Sequence, residues 1–248
     1  MRHPNLKRQT LSLFAGGLLS LASLYAGASP SLANTPSSNA RQGLPGRRIS
    51  GGSRSPNTAC LATPDQPVVA LMPKSNLGLT LSERPTFWFS LPAISPDRTL
   101  EFGLYDQEGE LIYKENFGAS GEAGISSLSL PNTFAPLSEG KNYRWYLSVV
   151  CDPDSRSEDL VVTGWIRRNQ ADRDLATQLA DATPQERLSV YESSDIWFET
   201  LTTLAELHRL SPSSEGAELS LDEKWQGLLE AVDLTQVATV PFSSKPIF

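Results

Sequence analysis

Residues 137–151 read LSEGKNYRWYLSVVC. Leu137, a tight turn at Gly140 and then Tyr143 opening an alternating run are the parts of a tyrosine corner. In that device the phenol hydroxyl bonds backward to the chain and fixes where one sheet gives way to the other. Alternation puts Tyr143, Trp145, Leu147 and Val149 on one face and turns Tyr146 to the opposite one.

Similar runs lie on both sides of this stretch. They are VVALM (68–72), LGLTL (77–81), TFWFSL (86–91), TLEFGLYD (99–106), ELIYKENF (110–117), GISSLSL (124–130) and DLVVTGWI (159–166). Pro, Gly and Asp punctuate them, Glu108-Gly109 forms a hairpin tip, and no helix-length pattern separates them. The spacing therefore predicts an antiparallel, fibronectin- or immunoglobulin-like β-sandwich over residues 68–170. Leu100, Phe102 and Leu104 share one face in the same manner.

The period changes after Asn169. Thr183-Pro184-Gln185-Glu186 is a capping box with Pro at the first helical position. Past a break at residues 193–195, Trp197, Leu201, Leu204, Ala205 and His208 form one helical stripe, closed by Pro212. Ser220-Leu221-Asp222-Glu223 is a second capping box, opening a helix with Leu221, Trp225, Leu228, Leu229 and Val232 on one side. These features predict a small helical bundle over 171–233, packed on the sandwich, and a C-terminal tail over 234–248. The fold class is thus all-β plus α.

At the other end, Arg2, Lys7 and Arg8 precede the apolar run LSLFAGGLLSLASLYA (11–26), with small-x-small exits after Ala28 and after Ala33. That combination predicts a secretory signal peptide over 1–33 and a periplasmic or extracellular address. Residues 34–67 are rich in Ser, Pro, Gly and Arg and predict a disordered linker. The chain has a formal net charge of −7, and residues 1–33 hold three basic and no acidic residues, so removing them leaves −10. An acidic body repels phosphate backbones and anionic lipid, which argues against nucleic acid and against membrane insertion after cleavage. The two cysteines, Cys60 and Cys151, predict a disulfide in an oxidising compartment, with two separate buried thiols as the alternative.

Chemistry is scarce. After the signal the only imidazole is His208, placed on an apolar stripe in the last turn of its helix. No GxSxG, HExxH, Walker or GxGxxG pattern occurs, so no catalytic residue, cofactor or metal is assigned. The acidic loop 151–159 offers oxygen ligands for calcium but lacks the spacing of an EF-hand, and reads as a solvated hairpin loop. Three aromatic residues, Trp88, Tyr146 and Trp165, are candidates for an interaction surface on the outside of the sandwich. The alternative is that the helices cover that face.

The chain resembles the secreted cyanobacterial proteins grouped as domain of unknown function 928. The resemblance rests on Gly51-Gly52-Ser53-Arg54 before Cys60, on Leu79-Thr80 and Pro85-Thr86-Phe87-Trp88-Phe89, and on Pro136-Leu137 through Tyr143-Arg144-Trp145. It continues at Cys151-Asp152-Pro153, at Gly164-Trp165-Ile166-Arg167-Arg168, at Ile196-Trp197-Phe198, and at Trp225 with Leu228-Leu229. Asp195 and Thr200 depart from the family pattern, which favours Gly and Ala there. Residues 183–212 also resemble one tetratricopeptide-type hairpin, though a single unit cannot bury its own face. The resemblance implies an exported protein with no catalytic residues to carry over. The expectation is a non-catalytic binding or interaction protein of the cell envelope, with a protein or glycan partner. A small envelope hydrolase using an Asp/Glu pair is the competing reading.

Overall fold

Eight strands fall on the eight apolar runs: β1 (Val69–Ala70), β2 (Leu77–Thr80), β3 (Thr86–Leu91), β4 (Thr99–Tyr105), β5 (Leu111–Gly118), β6 (Gly124–Ser129), β7 (Asn142–Val150) and β8 (Leu160–Arg168). The computed structural model describes residues 44–51, 60–61, 66–210 and 220–247; the expected signal segment 1–33 and Pro212 lie outside them. The strands form a three-stranded sheet, β1-β3-β6, and a five-stranded sheet, β2-β8-β7-β4-β5. Four helices follow: α1 (Arg173–Ala180), α2 (Pro184–Ser193), α3 (Trp197–Leu210) and α4 (Leu221–Ala231). The class is α+β, with strands and helices segregated along the chain. Among the described residues no helix is long and apolar enough to cross a membrane.

One pairing departs from the antiparallel expectation. β2 runs parallel to β8, with Leu77 opposite Trp165 and Thr80 opposite Arg168. The cause is the turn at Pro73–Asn76, closed by the Asn76 N–H on the Pro73 carbonyl with Asn76 at φ 56°. It carries the chain from β1 in one sheet to β2 in the other.

The two sheets share one core. Phe87 and Phe89 of β3 meet Phe102 of β4 and Trp145 of β7, with Trp145 ring centroids 5.5, 5.7 and 6.5 Å from those of Phe87, Phe89 and Phe102. Opposite Trp145 on β8 stands Gly164, where a Cβ would lie 2.4 Å from the indole. The corner forms as read: the Ser138 N–H donates to the Tyr143 hydroxyl at 2.9 Å, and Leu137 is buried. Tyr143→Phe removes that acceptor and leaves the Ser138 amide without it. A loss of about 1 kcal/mol in urea unfolding is expected, and an unchanged midpoint would mean that the corner does not hold the fold.

Composition predicted disorder over 34–67, but residues 44–50 are a backbone strap. Arg47 exchanges hydrogen bonds with Thr163 of β8, and Ile49 bridges Val69 of β1, so the strap ties the two sheets along one edge. Arg48 Nη1 reaches the carbonyls of Met72 (3.0 Å) and Val232 (2.7 Å). The physical reason is that a strand edge presents unpaired N–H and C=O groups that any backbone can satisfy, without apolar side chains. The tail does the same at the opposite edge: Phe242 bridges Ile125 of β6, and the Ile247 N–H reaches the Ser127 carbonyl. Cys60 and Cys151 are joined in a disulfide.

The helices dock through α3. Its Trp197 Nε1 donates to the Leu71 carbonyl (2.9 Å), and Phe198 enters the core edge-on to Phe87. Glu199 Oε1 accepts from the Thr80 hydroxyl (2.6 Å) and from the Leu81 and Ser82 amides (3.1 and 2.9 Å). Burial pushes the Glu199 carboxyl upward in pKa, opposed by those same donors. Both capping boxes form, Thr183 with Glu186 and Ser220 with Glu223.

Candidate functional site

The outer face of the five-stranded sheet is built by alternation. Because Leu104, Trp145 and Gly164 point into the core, Tyr105, Arg144, Tyr146, Thr163 and Trp165 point away from it. Register brings them together. Tyr105 pairs with Arg144 and Arg144 with Trp165; one pair along, Gly103 opposes Tyr146 and Tyr146 opposes Thr163. With Pro45 and Gly46 of the strap they line a groove of about 470 Å³.

Gly103 is what lets the groove exist. A Cβ there would sit 2.0 Å from the Tyr146 ring, so only glycine allows the phenol to lie across β4. The Tyr105 and Tyr146 centroids are 6.0 Å apart, and the Arg144 guanidinium lies 4.9 Å from the Tyr105 ring centre. Two of the three aromatic polar tips are engaged, Trp165 Nε1 with the Pro45 carbonyl (2.8 Å) and the Tyr146 hydroxyl with Glu101 (2.9 Å). Their ring faces remain half-exposed.

Glu101 braces this arrangement. It is 6% exposed on the outer side of β4 and meets Lys114 Nζ at 2.8 Å, Arg156 Nη2 at 3.2 Å and the Tyr146 hydroxyl. Burial raises the carboxyl pKa, but the three donors together outweigh burial and hold it at about 2. Burial and the Glu101 charge push the Tyr146 phenol upward, so it stays a donor. A depressed carboxylate pKa stabilises the fold at neutral pH, and this contribution is lost as pH falls from about 4.5 to about 2. Glu101→Gln should therefore cost up to about 3 kcal/mol at pH 7 and approach nothing near pH 2. Paired urea titrations at pH 7 and pH 3 check this; a difference that does not shrink on acidification contradicts it.

The structure separates the three aromatic candidates. Tyr146 and Trp165 share the groove. Trp88 does not: it belongs to β3, is 4% exposed, donates from Nε1 to Thr202 Oγ1 of α3 and lies under Arg209. Alternation turned it outward from the core, but α3 covers that sheet, so Trp88 is a docking residue and not surface. Tyr105 and Arg144 are groove residues that the sequence does not single out for binding. Only the register of β4 on β7 reveals them.

Other candidates are occupied internally. His208 pairs with Asp222 and lies against the Phe242 ring. In the acidic loop, Asp159 accepts from Arg156 Nε (2.7 Å), the Ser148 hydroxyl and the Cys151 amide, while Asp152 closes a turn on the Asp154 amide. Among the described residues no group of three or more His, Cys, Asp or Glu is placed to hold a metal ion. A second groove, about 710 Å³, runs between β2 and the helices, with Leu77, Leu79, Trp197 and Leu228 as walls and Glu192, Asp195 and Glu223 among its lining. Three of its polar groups are bound within the protein, Glu223 to its capping box, Trp197 to Leu71 and Thr200 to Ile196. Burial raises the Glu192 carboxyl pKa, opposed by Lys224.

No curated protein matches this chain. A family model described as Domain of Unknown Function (DUF928) matches residues 49–242. The match spans most of the chain, including both sheets and all four helices, and the protein therefore belongs to the DUF928 family.

Proposed function

We propose that this protein is an exported, non-catalytic binding protein of the cyanobacterial cell envelope, acting in the periplasm or outside the cell. Its scaffold is read as an immunoglobulin- or fibronectin-like β-sandwich, supported by the three-plus-five strand arrangement and the Tyr143 corner. Export is supported by the basic-then-apolar N-terminus and is compatible with the Cys60–Cys151 bond. One observation carries the binding reading. The groove on the five-stranded sheet gathers three half-exposed aromatic rings around a guanidinium that no described carboxylate pairs with, a lining suited to stacking on a ligand.

The test is a photo-crosslinker at Tyr105, activated in an envelope fraction. A discrete adduct that disappears in Trp165→Ala and Arg144→Ala is expected. Labelling unaffected by both substitutions would remove the groove from consideration. The hydrolase alternative has its own motivating feature, the Glu192 and Asp195 carboxylates beside the larger groove. Release of reducing ends from envelope glycan, abolished by Glu192→Gln, would replace the binding reading with that one.

A further inference from the structure

The geometry points to a ligand class for the groove: an acidic polysaccharide whose sugar rings stack on Trp165, Tyr105 and Tyr146 and whose carboxylates pair with Arg144. This rests on the binding reading above and sharpens it.

The argument is one of charge and shape together. The protein is acidic overall, at −7, and residues 171–248 alone carry −9. The outer face of the five-stranded sheet runs the other way. Lys114 and Arg156 are neutralised there by Glu101 and Asp159. Arg144 and Arg167 are not: among the described residues no carboxylate pairs with either, Arg144 resting on the Tyr105 ring and Arg167 donating only to the Asn142 side-chain oxygen. Arg144 stands directly opposite Trp165 and lines the groove, while Arg167 follows two residues on along β8, opposite Asn142 and outside the groove lining. The acidic β4–β5 hairpin, with Asp106, Glu108 and Glu110, does not line the groove.

With the Trp165 and Tyr146 polar tips engaged, these two rings offer stacking surface and little hydrogen-bond readout. A sugar ring has an apolar C–H face that suits such a platform, and its ring carboxylate suits a forked guanidinium. A volume of about 470 Å³ lies in the range of small-ligand sites, enough for a short stretch of chain and not a protein interface. Nucleic acid fits less well, because its affinity comes from many phosphate contacts and a single cation, Arg144, lines the groove.

Calorimetry of the protein with hexagalacturonate, cellohexaose and a single-stranded deoxyoligonucleotide tests the assignment. Hexagalacturonate should bind at low ionic strength and at least tenfold more tightly than cellohexaose. Arg144→Gln, an exposed position, should cost about tenfold for hexagalacturonate and leave cellohexaose unaffected; Trp165→Phe should weaken both. Equal binding of the two glycans overturns the acidic class while leaving the groove as a sugar site. Tighter binding of the oligonucleotide overturns the polysaccharide assignment. Absence of all three, with the Tyr105 crosslinker still labelling an envelope component, overturns the ligand class alone. Absence of binding and of labelling overturns the binding reading as well.

Discussion

Trp145→Ala should destabilise the protein by about 3–5 kcal/mol, the cost of deleting a large buried aromatic from a core that cannot collapse. The indole is 1% exposed and contacts Phe87 and Phe89 of one sheet and Phe102 of the other, so it spans the space between them. Its Nε1 has no hydrogen-bond partner among the described residues, so the ring contributes by packing alone. Trp145→Phe removes that buried N–H along with part of the ring, and should cost markedly less than alanine. Gly164 supplies a second, independent check. A Cβ there would lie 2.4 Å from the indole, so Gly164→Ala should cost about 1–3 kcal/mol through overpacking. In a Trp145→Phe background the added methyl finds room, and the cost should fall. The parent, Trp145→Phe, Gly164→Ala and the double variant form a double-mutant cycle in urea unfolding, with an interaction energy of about 1 kcal/mol or more expected. Additivity within error, or a Trp145→Ala loss below about 1.5 kcal/mol, would show that the indole does not bridge the sheets.

How far the sequence could be read depends on which physical signal each element leaves. Side-chain alternation on β4 and β7 is local, so the inner faces and all eight strands were legible. The capping boxes at Thr183 and Ser220 are equally local and both formed. Backbone pairing leaves no such mark. The strap at 44–50 and the bridge of Phe242 to Ile125 rest on N–H and C=O groups that every residue carries, which is why a Ser-, Gly- and Arg-rich stretch looked disordered. The parallel pairing of β2 with β8 depends on which sheet the chain enters after the Asn76 turn, a nonlocal choice. The site illustrates both limits. Alternation turned Trp88 and Tyr146 away from the core, yet only docking decided which stays open: α3 seals Trp88 through Thr202, while Tyr146 stays half-exposed in the groove. Arg144 and Tyr105 required register. Had β4 been aligned on β7, the lone Gly103 opposite Tyr146 would have signalled a ring laid across a strand.

Removing the Cys60–Cys151 bond should rank with Trp145→Ala in its effect, at about 2–5 kcal/mol. The bond closes a loop of 91 residues that contains β1 to β7, and in the chain-entropy picture a loop of that size restricts the unfolded ensemble by about 4–5 kcal/mol. The folded state has its own stake. Leu61, next to Cys60, bridges Ile94, and the Cys151 carbonyl accepts from Arg98 Nη1 at 2.7 Å, so the bond joins an N-terminal segment to the end of β7 where the acidic loop begins. Cys151 also donates its amide to Asp159, which in turn holds Arg156 against Glu101, the acceptor of the Tyr146 hydroxyl. Loss of the bond should therefore reach the groove, loosening Tyr146 as well as lowering global stability. Cys60→Ser/Cys151→Ser and reduction of the unmodified protein should lower the urea midpoint by similar amounts. The double variant should also weaken any ligand that depends on Tyr146 by more than its change in folded fraction explains. Two free thiols in the unreduced, denatured protein would contradict the pairing. A double variant as stable as its parent would show instead that Leu61, Ile94 and Arg98 hold this corner without it.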